Sequence, residues 1–409
     1  MQILFMKWVL KTNCSKLKNI LLSALFISCS FVNAQVDSIS KEKIKFTRFE
    51  METGYGSNHL TGTTALPFAF KSAISNEDIE NSSTLLFNTN RTGSESHILA
   101  HFEVSKHRFQ VSYNSIVGLS YSKNLYELAF KGNSAFAGKK MDLQMSAKQL
   151  TYAKIKYELS PWKMKEKMKD GKVKKPYLIS HGISLYGITK YSRAKTNGDN
   201  FLFTSESVTE VEGQFNYEYQ ANQQTALKGG GVGWSTYAYQ RKGSTIKVLQ
   251  IENLGVGVIA SGEQIYTHDT AWKYRGINFT IGSGSSFSGV GDSVSSLIYK
   301  ENKSKARLIL LPVDISYSVQ SPKYNYGVQY IAMPGYLPQI HWVKKIYTKK
   351  DNTAGIGFQA GGWGLVNSYL QYNLFLKGEN TRKIHFQMLG IESLLLPYPS
   401  FGLKMRLDM

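Results

Sequence analysis

Glu50 and Glu52 are the first residues in this chain whose type and spacing could support catalysis, because they form a pair of carboxylates beside Arg48. A glycoside hydrolase uses two carboxyl groups as its acid and base. Residues 48, 50 and 52 share one face of a strand, however, and acid–base work would need a further carboxylate on another strand. We therefore interpret the three side chains as a ladder of ion pairs along one face of the strand.

The histidines do not form a catalytic or metal-binding pattern. His97 and His101 share a strand face, but four residues of a strand span ~13 Å, too far for both rings to bind one metal ion. We interpret them as lumen or surface residues. His181 and Ser184 are three positions apart and would point to opposite faces of a strand, unlike the His and Ser two apart in outer-membrane phospholipases. We predict no metal ion and no cofactor.

Two short motifs resemble known signatures but lack essential parts. Gly291-Asp292-Ser293-Val294-Ser295 resembles the first block of a GDS-type esterase, in which Ser293 would be the nucleophile. That chemistry needs an Asp and a His a few residues apart downstream, and neither His341 nor His385 has an Asp three residues before it. The Gly-rich run 228–234 lacks the Lys-Ser/Thr ending of a phosphate loop and indicates a bend or close contact in a strand. We predict that the protein is not an enzyme.

A lysine-rich segment spans residues 163–175, between two strand-like runs. One interpretation is a solvated loop. The other is a docking site for lipopolysaccharide phosphates or for an acidic partner, carried by Lys163, Lys165, Lys167, Lys169, Lys172, Lys174 and Lys175.

The N-terminus has the features of a cleaved secretory signal. Four lysines precede a short apolar core, and Val32-Asn33-Ala34 forms a cleavage site that predicts a signal peptide over 1–34. Lipid modification of Cys29 is the alternative, but the preceding residues fit it poorly. The signal contains both cysteines, so the mature chain has no disulfide. It retains 45 basic and 29 acidic residues, a formal charge of +16 that favours anionic neighbours. Export makes nucleic acid a poor partner.

Apolar and polar residues alternate along the mature chain, which predicts β-strands. The clearest example is Leu308 to Gln320, where Ile309, Leu311 and Val313 begin one continuous apolar face. Tyr126 to Phe130 follows the same rule. After the signal, no apolar run reaches the ~18 residues that a spanning helix needs.

A soluble β-sandwich also alternates, but two features favour a membrane barrel. Charged residues occur at mid-strand on the polar face, and the apolar faces often end in Tyr or Trp, as in interfacial girdles. Spanning strands of ~10 residues then predict an all-β, transmembrane antiparallel β-barrel of about 14 strands, within a range of 12–18.

The last strand completes this prediction. Its even positions Lys404, Arg406 and Asp408 are expected to face the lumen with Arg48, Glu50 and Glu52, and its odd positions to face the membrane, namely Phe401, Leu403, Met405, Leu407 and Met409. Ser400 to Leu407 resembles the recognition pattern on the final strand of bacterial outer-membrane proteins, although Met409 replaces the usual terminal aromatic residue. With the signal and the Lys/Asn/Tyr-rich composition, the chain resembles an outer-membrane barrel of Bacteroidota type. The resemblance implies an integral outer-membrane location in contact with lipid and lipopolysaccharide.

The mature chain, 35–409, is therefore expected to be a single barrel with long loops near 57–95, 163–175 and 260–305, the last around one short strand. The absence of an active-site pattern in the sequence favours a structural or accessory subunit of an outer-membrane assembly or secretion complex, with other outer-membrane proteins or lipoproteins as partners. The alternative is a passive diffusion pore with anion preference, suggested by Lys404, Arg406 and the positive charge.

Overall fold

The computed structural model describes residues 44–59, 76–104, 107–131, 136–159, 162–163, 177–207, 210–221, 228–259, 264–275, 294–303, 307–349, 352–376, 382–390 and 400–409. The signal predicted at 1–34 lies outside these residues. The described chain is almost entirely antiparallel β-structure, together with the helices α1 (Asn76–Thr84) and α2 (Lys123–Lys131). Neither of these helices is long and apolar enough to cross a bilayer.

The strands vary from short bridging pieces to long elements of the wall. In chain order they are β1 (Ile44–Ser57), β2 (Thr89–Val104), β3 (His107–Ser122), β4 (Lys140–Asp142), β5 (Met145–Glu158), β6 (Trp162–Lys163), β7 (Tyr177–Thr196), β8 (Phe201–Thr204), β9 (Glu210–Ala221), β10 (Gly229–Lys242), β11 (Thr245–Ile259), β12 (Gln264–Arg275), β13 (Val294–Lys303), β14 (Arg307–Leu310), β15 (Asp314–Gln320), β16 (Tyr324–Ile331), β17 (Leu337–Lys349), β18 (Asn352–Gly362), β19 (Val366–Leu376), β20 (Arg382–Leu389) and β21 (Ser400–Asp408).

Fourteen of these strands form a closed barrel. The order around the ring is β1, β2, β3, β5, β7, β10, β11, β15, β16, β17, β18, β19, β20 and β21, and β21 pairs with β1 to close it. The closing register sets Arg48 opposite Asp408 and Glu52 opposite Lys404. The structure thus confirms the prediction of an all-β antiparallel barrel of about 14 strands.

The two ends of the barrel differ in their connections. At the end where β1 begins and β21 ends, which we call the terminal rim, four of the connections are short: 105–106, 243–244, 321–323 and 350–351. At the opposite end, the loop rim, long connections join β1 to β2, β3 to β5, β7 to β10 and β11 to β15. The two strands that flank the lysine-rich segment in the chain, β5 and β7, meet at the terminal rim.

Two of the expected long loops have more regular structure than the sequence suggested. The connection after β1 is shorter than 57–95, since β2 already begins at Thr89 and α1 lies between the two strands. The region 260–305 contains two strands, β12 and β13, where one was expected. β12 pairs with β9, and β9 pairs with the last residues of β7, Arg193–Thr196. Together with β4 and β8, these strands extend one side of the wall beyond the loop rim.

On the barrel strands the polar side chains are buried and many apolar side chains are exposed, which is the reverse of the pattern in a soluble sheet. On β3, Gln110 and Ser112 are 4% and 3% exposed, whereas Val111 and Tyr113 are 40% and 38% exposed. Because successive side chains of a strand point to opposite faces, the polar face looks into the barrel and the apolar face looks out. Other exposed apolar side chains on the outside include Ile155, Leu185, Val232, Leu254, Ile315, Tyr326, Ile340, Phe358 and Leu370.

Two predicted strands are different in the structure. Tyr126 to Phe130 lies in the helix α2, which begins after Ser122, whose hydroxyl accepts a hydrogen bond from the Leu125 amide. A five-residue alternation does not distinguish a strand from one turn of helix. In the helix, Leu125 and Leu128 pack against a buried cluster that contains Leu143 and Leu202.

The predicted continuous strand Leu308 to Gln320 is also interrupted. It divides into β14 and β15 around Pro312, and both pieces pair with β11. Ile309 and Leu311 are buried while Leu308 and Leu310 are exposed. Consecutive apolar residues before Pro312 therefore alternate between the inner and the outer face of the wall. Because proline cannot donate a ladder hydrogen bond, the break at Pro312 is where the sheet can change its alternation.

Candidate functional site

The barrel encloses a cavity of about 960 Å³ that runs along its interior. Thr47 and Arg108 line it at the terminal rim, and Tyr336 and Trp363 line it near the loop rim. The wall is polar and carries seven basic and seven acidic side chains. This balance matters for function, because the described lining of the lumen has no excess of positive charge to attract anions.

The seam between β1 and β21 carries a ladder of ion pairs. Lys404 Nζ lies 2.8 Å from a Glu50 oxygen and 2.7 Å from a Glu52 oxygen, and His97 Nε2 lies 3.1 Å from Glu50. Nearer the terminal rim, Asp408 accepts hydrogen bonds from Arg48 at 3.0 Å and from Arg406 at 2.9 Å. These pairs link β1 to β21, the two strands that close the ring.

The structure places the residues expected at the lumen and at the membrane on the two faces of β21 and β1. Arg48, Glu50, Glu52, Lys404 and Arg406 line the cavity, and Asp408 lies beside Arg48 and Arg406. Phe401, Leu403, Met405, Leu407 and Met409 occupy the alternate positions of the strand end, with Phe401 and Met409 exposed.

Glu50, Glu52 and His97 also bring possible metal-ligand atoms within 4.8 Å of one another. The ammonium group of Lys404 already bridges the two carboxylates, and a metal ion there would be repelled by it. His97 thus meets carboxylates on the neighbouring strand. From the sequence, His97 could be compared only with His101, because pairing between strands cannot be read from spacing along one strand.

A second charged cluster lies inside the wall formed by β5, β7, β10 and β11. Glu252 on β11 accepts hydrogen bonds from Lys154 Nζ at 2.7 Å and from Lys156 Nζ at 2.8 Å, and all three side chains are buried. Next to it, Asn253 accepts from Lys154 and Tyr186 and donates to Tyr152. Each of these polar side chains therefore has a hydrogen-bond partner, as a buried network requires.

Small residues on the two intervening strands allow this contact. Lysines on β5 reach β11 only by lying across β7 and β10, where the inward positions include Gly182, Ser184, Gly233 and Ser235. A Cβ at Gly233 would lie 2.9 Å from the Tyr186 ring. The Gly-rich run 228–234 therefore provides a close contact inside the barrel, and Asn253, with φ of 60°, adds a local bulge on β11.

A layer of apolar side chains crosses the lumen near the loop rim, and we call it the cap. It consists of Ile116, Ile331, Met333, Tyr336 and Trp363, all buried. The rings of Tyr336 and Trp363 meet edge to face at 4.7 Å, and Trp363 Nε1 donates to the Pro334 carbonyl at 3.2 Å. Two short turns, β16 to β17 and β18 to β19, supply most of this layer.

The cap contacts the opposite side of the barrel. The turn between β16 and β17 reaches β3, half-way round the ring from β17, because a Cβ at Gly118 on β3 would fall 2.6 Å from the Pro334 carbonyl oxygen. The turn between β18 and β19 reaches β2, because a Cβ at Gly93 would collide with the Trp363 ring. Arg91, on the same strand, donates to the Gly364 carbonyl at 3.2 Å. Only a residue without a side chain permits this approach at position 93. The described turns thus span the lumen from wall to wall.

More side chains fill the loop rim beside the cap. His59, just beyond β1, is fully buried between Tyr121 and Tyr126, and its Nε2 lies 2.7 Å from the Tyr121 hydroxyl. Burial lowers the pKa of His59 to about 3, so the ring is neutral over the ordinary pH range. A neutral ring packs here without the cost of burying a charge.

The residues of the incomplete sequence motifs are dispersed in the structure. His181 lines the cavity and meets Thr236, whereas Ser184 is buried against the wall between β7 and β10. His101 lines the cavity four residues from His97. Gly291, Asp292 and Ser293 lie outside the described residues.

Most of the lysine-rich segment also lies outside the described residues, including Lys165, Lys167, Lys169, Lys172, Lys174 and Lys175. Lys163 belongs to β6, where its backbone pairs with Leu178 of β7. The described strands on either side of the segment, β5 and β7, meet at the terminal rim, where β1 begins and β21 ends.

Sequence reasoning did not identify Lys154, Lys156, Glu252, Glu95, Asp314 or the cap. Lys154 and Lys156 do alternate with Ala153 and Ile155, which marks them as inward residues of a barrel strand. The identity of their partner depends on which strands lie across the lumen, and spacing along the chain carries no such information.

No family model matches this chain, and no curated protein matches its sequence. What the fold and the cavity define is a large closed β-barrel with a polar, charge-balanced interior that is crossed near one end.

Replacing Glu252 with Gln tests the buried ion cluster. The change leaves Lys154 without a carboxylate and Lys156 with only Glu158 at 3.5 Å, so we expect the free energy of unfolding to fall by about 3–5 kcal/mol. Denaturant titration of the purified protein in detergent measures this. The matched control is Glu103→Gln, which breaks a rim pair with Arg108 whose side chains are 32% and 57% exposed and should cost at most about 1 kcal/mol. Equal losses in the two variants would contradict the role assigned to Glu252.

Proposed function

We propose that this protein is an integral outer-membrane β-barrel that serves as a non-catalytic structural or accessory subunit of an outer-membrane assembly or secretion complex. We thus propose an outer-membrane location, a lumen without an open aqueous path and a protein partner. The observation that carries it is the cap, because a pore needs a continuous aqueous path and Trp363 and Tyr336 lie across the lumen.

The outward-facing apolar residues support the membrane location. Side chains such as Leu185, Val232 and Ile340 are 61%, 54% and 51% exposed on the outer surface. Large exposed apolar surfaces are unfavourable in water and favourable in lipid. The closed ring leaves no open edge among its fourteen strands, as spanning a bilayer by strands requires.

The two rims suggest an orientation. Short turns of outer-membrane barrels usually face the periplasm and long loops the exterior. By this rule the terminal rim, where β1 begins, β21 ends and the strands flanking the lysine-rich segment meet, faces the periplasm. This supports an acidic periplasmic protein or lipoprotein, rather than lipopolysaccharide, as the partner of that segment, since lipopolysaccharide occupies the outer leaflet.

Charge at the terminal rim supports the same partner. Exposed basic side chains cluster there on many strands, namely Lys45, Arg108, Arg241, Lys242, Lys247, Lys323, Lys344 and Lys383. A positive rim of this kind attracts an acidic surface at long range.

The alternative, a passive pore with anion preference, is favoured by one observation. The cavity extends to this positive rim, so an anion would be drawn to its entrance. The pore hypothesis then requires the cap to move, because the two turns that form it reach across the lumen to Gly118 on β3 and to Gly93 on β2.

Cell fractionation tests the location. We expect the protein in the outer-membrane fraction, released only by detergent, because its apolar surface is solvated by lipid. Recovery of a folded protein in the soluble periplasmic fraction would overturn the proposed location and both candidate functions.

Planar-bilayer recording tests the closed lumen. The purified wild-type protein should show no stable open conductance, whereas Trp363→Ala combined with Tyr336→Ala should show frequent channel openings, because the change removes the two rings that cross the lumen. Trp342→Ala with Tyr326→Ala is the matched control, since it removes the same residue types from the outer face and should leave the bilayer silent. A steady anion-selective conductance in the wild type would favour the pore.

Charge reversal tests the partner. Exchanging Lys163, Lys165, Lys167 and Lys169 for Glu should abolish stoichiometric co-purification of an acidic partner in mild detergent, without changing the unfolding midpoint of the barrel. Lys139→Glu with Lys140→Glu, on the loop-rim side, is the control and should retain the partner. Co-purification that survives the first set of changes would refute docking through this segment.

A further inference from the structure

We propose that the outer face of the barrel carries a binding site for the headgroup of an anionic glycerophospholipid, centred on Lys344 of β17. We call it the headgroup site and define it by Lys323, Tyr324, Trp342 and Lys344, which lie near the terminal rim. The inference rests on the membrane location proposed above. It goes beyond that location, because it names one class of lipid and the residues that would hold it.

Lys344 is an exposed cation in an apolar part of the outer wall. Along β17, Trp342 lies on the same face, and Ile346, two residues nearer the terminal rim, is 64% exposed. On the neighbouring strands its register partners are Tyr324 and Ile356, which are 38% and 47% exposed. Apolar or aromatic residues therefore flank Lys344 along its own strand and on both adjacent strands. A lysine on a lipid-facing surface is unfavourable unless its ammonium group reaches water or an anion.

The second observation concerns the acidic residues of this part of the wall. Among the described residues from 314 to 390, which include β15 to β20, the only acidic one is Asp314. Asp314 lines the cavity and accepts hydrogen bonds from Gln329, so its carboxylate is on the inner side of the wall. Lys344 therefore has no counter-ion in the described part of this wall. The anion available to a cation on a lipid-facing surface is the phosphate of the lipid headgroup.

A second exposed lysine lies on the adjoining turn. Ser321 fixes the turn between β15 and β16, because its hydroxyl accepts from the Tyr324 amide and donates to the Tyr324 carbonyl, both at 2.9 Å. The Lys345 amide donates to the Lys323 carbonyl at 2.8 Å, which holds the backbone of Lys323 beside the last part of β17. Two exposed lysines on adjoining segments favour a headgroup with a net negative charge over a zwitterionic one.

A row of aromatic rings marks the depth of the site in the bilayer. The ring centroids of Tyr324 and Trp342 are 5.7 Å apart, and those of Trp342 and Phe358 are 5.9 Å apart. Tyr and Trp on the outer face of a membrane protein prefer the level of the headgroups, because each has an apolar body and a polar tip. This row therefore places Lys344 at the level where lipid phosphates lie.

The position of Lys344 distinguishes a lipid from a protein partner. Lys242 ends β10 at the tip of a hairpin on the terminal rim, where an approaching protein could reach it. Lys344 lies on the outer face of the wall beside Tyr324 and Trp342, where lipid is the neighbour. By the orientation proposed above, the terminal rim faces the periplasm, so this lipid belongs to the inner leaflet. A glycerophospholipid, rather than lipopolysaccharide, is therefore the occupant.

Quenching of tryptophan fluorescence by brominated lipids tests the site, because bromine quenches a tryptophan that it contacts. The full mature chain is reconstituted in vesicles of phosphatidylcholine and phosphatidylglycerol with the same acyl chains, of which one lipid at a time is brominated. The signal of Trp342 is the difference between the wild type and Trp342→Phe, which keeps an aromatic ring. We expect phosphatidylglycerol to be preferred at this position by about fivefold or more.

Replacing Lys344 with Gln should reduce this preference by about fivefold, because it removes the charge and keeps most of the side chain. Lys242→Gln is the matched control, since it removes an exposed lysine from the same rim, and it should keep the preference of the wild type. Thermal unfolding of each variant checks the fold. Lys323→Gln, in an exposed turn, replaces Lys344→Gln if the latter does not fold, and it should also reduce the preference.

Equal quenching by the two lipids in the wild type, or an unchanged preference in Lys344→Gln, would overturn the headgroup site. Relief of the quenching by added lipopolysaccharide but not by unbrominated phosphatidylglycerol would assign this face to the outer leaflet and would also overturn it. Failure of the chain to insert into vesicles would refute the membrane location together with the site. Insertion without a headgroup preference would refute the site alone, so the two proposals can be told apart.

Discussion

The barrel depends on satisfying polar groups inside a wall whose outer face is apolar. Alternation along each strand sends every second side chain into the interior, where charged groups must find partners or water. Lys404 between Glu50 and Glu52, and Glu252 between Lys154 and Lys156, meet this requirement in two separate regions. The first cluster joins the strands that close the ring, and the second joins strands that are not neighbours. Ion pairs inside the barrel therefore stabilise the closed ring, and closure of the ring brings the paired charges together.

One layer of the barrel interior is apolar instead of polar. Near the loop rim, the cap replaces polar residues with Ile116, Met333, Tyr336 and Trp363, and the adjoining wall contains glycine where a side chain would collide. Turns from one side of the ring pack on the opposite side. Because packed aromatic layers exclude water, this arrangement separates a wet cavity on the terminal side from the loop rim.

Charge divides the molecule in a complementary way. The terminal rim is basic, and the charges of the seam between β1 and β21 are neutralised by internal pairs. An acidic partner would therefore be attracted to the rim rather than to the lumen.

Local patterns in the sequence were sufficient to predict the antiparallel barrel, its approximate strand number and the alternating faces of β21, because these follow from a period of two along single strands. They failed where the alternation was short or broken, as in α2 and at Pro312. The partners of Glu252 and His97, and the contact of Trp363 with Gly93, were decided only by the tertiary structure. Such contacts depend on which strands are adjacent or opposite in the closed ring. That arrangement is set by the register and stagger of all fourteen strands together, and no single stretch of sequence contains it.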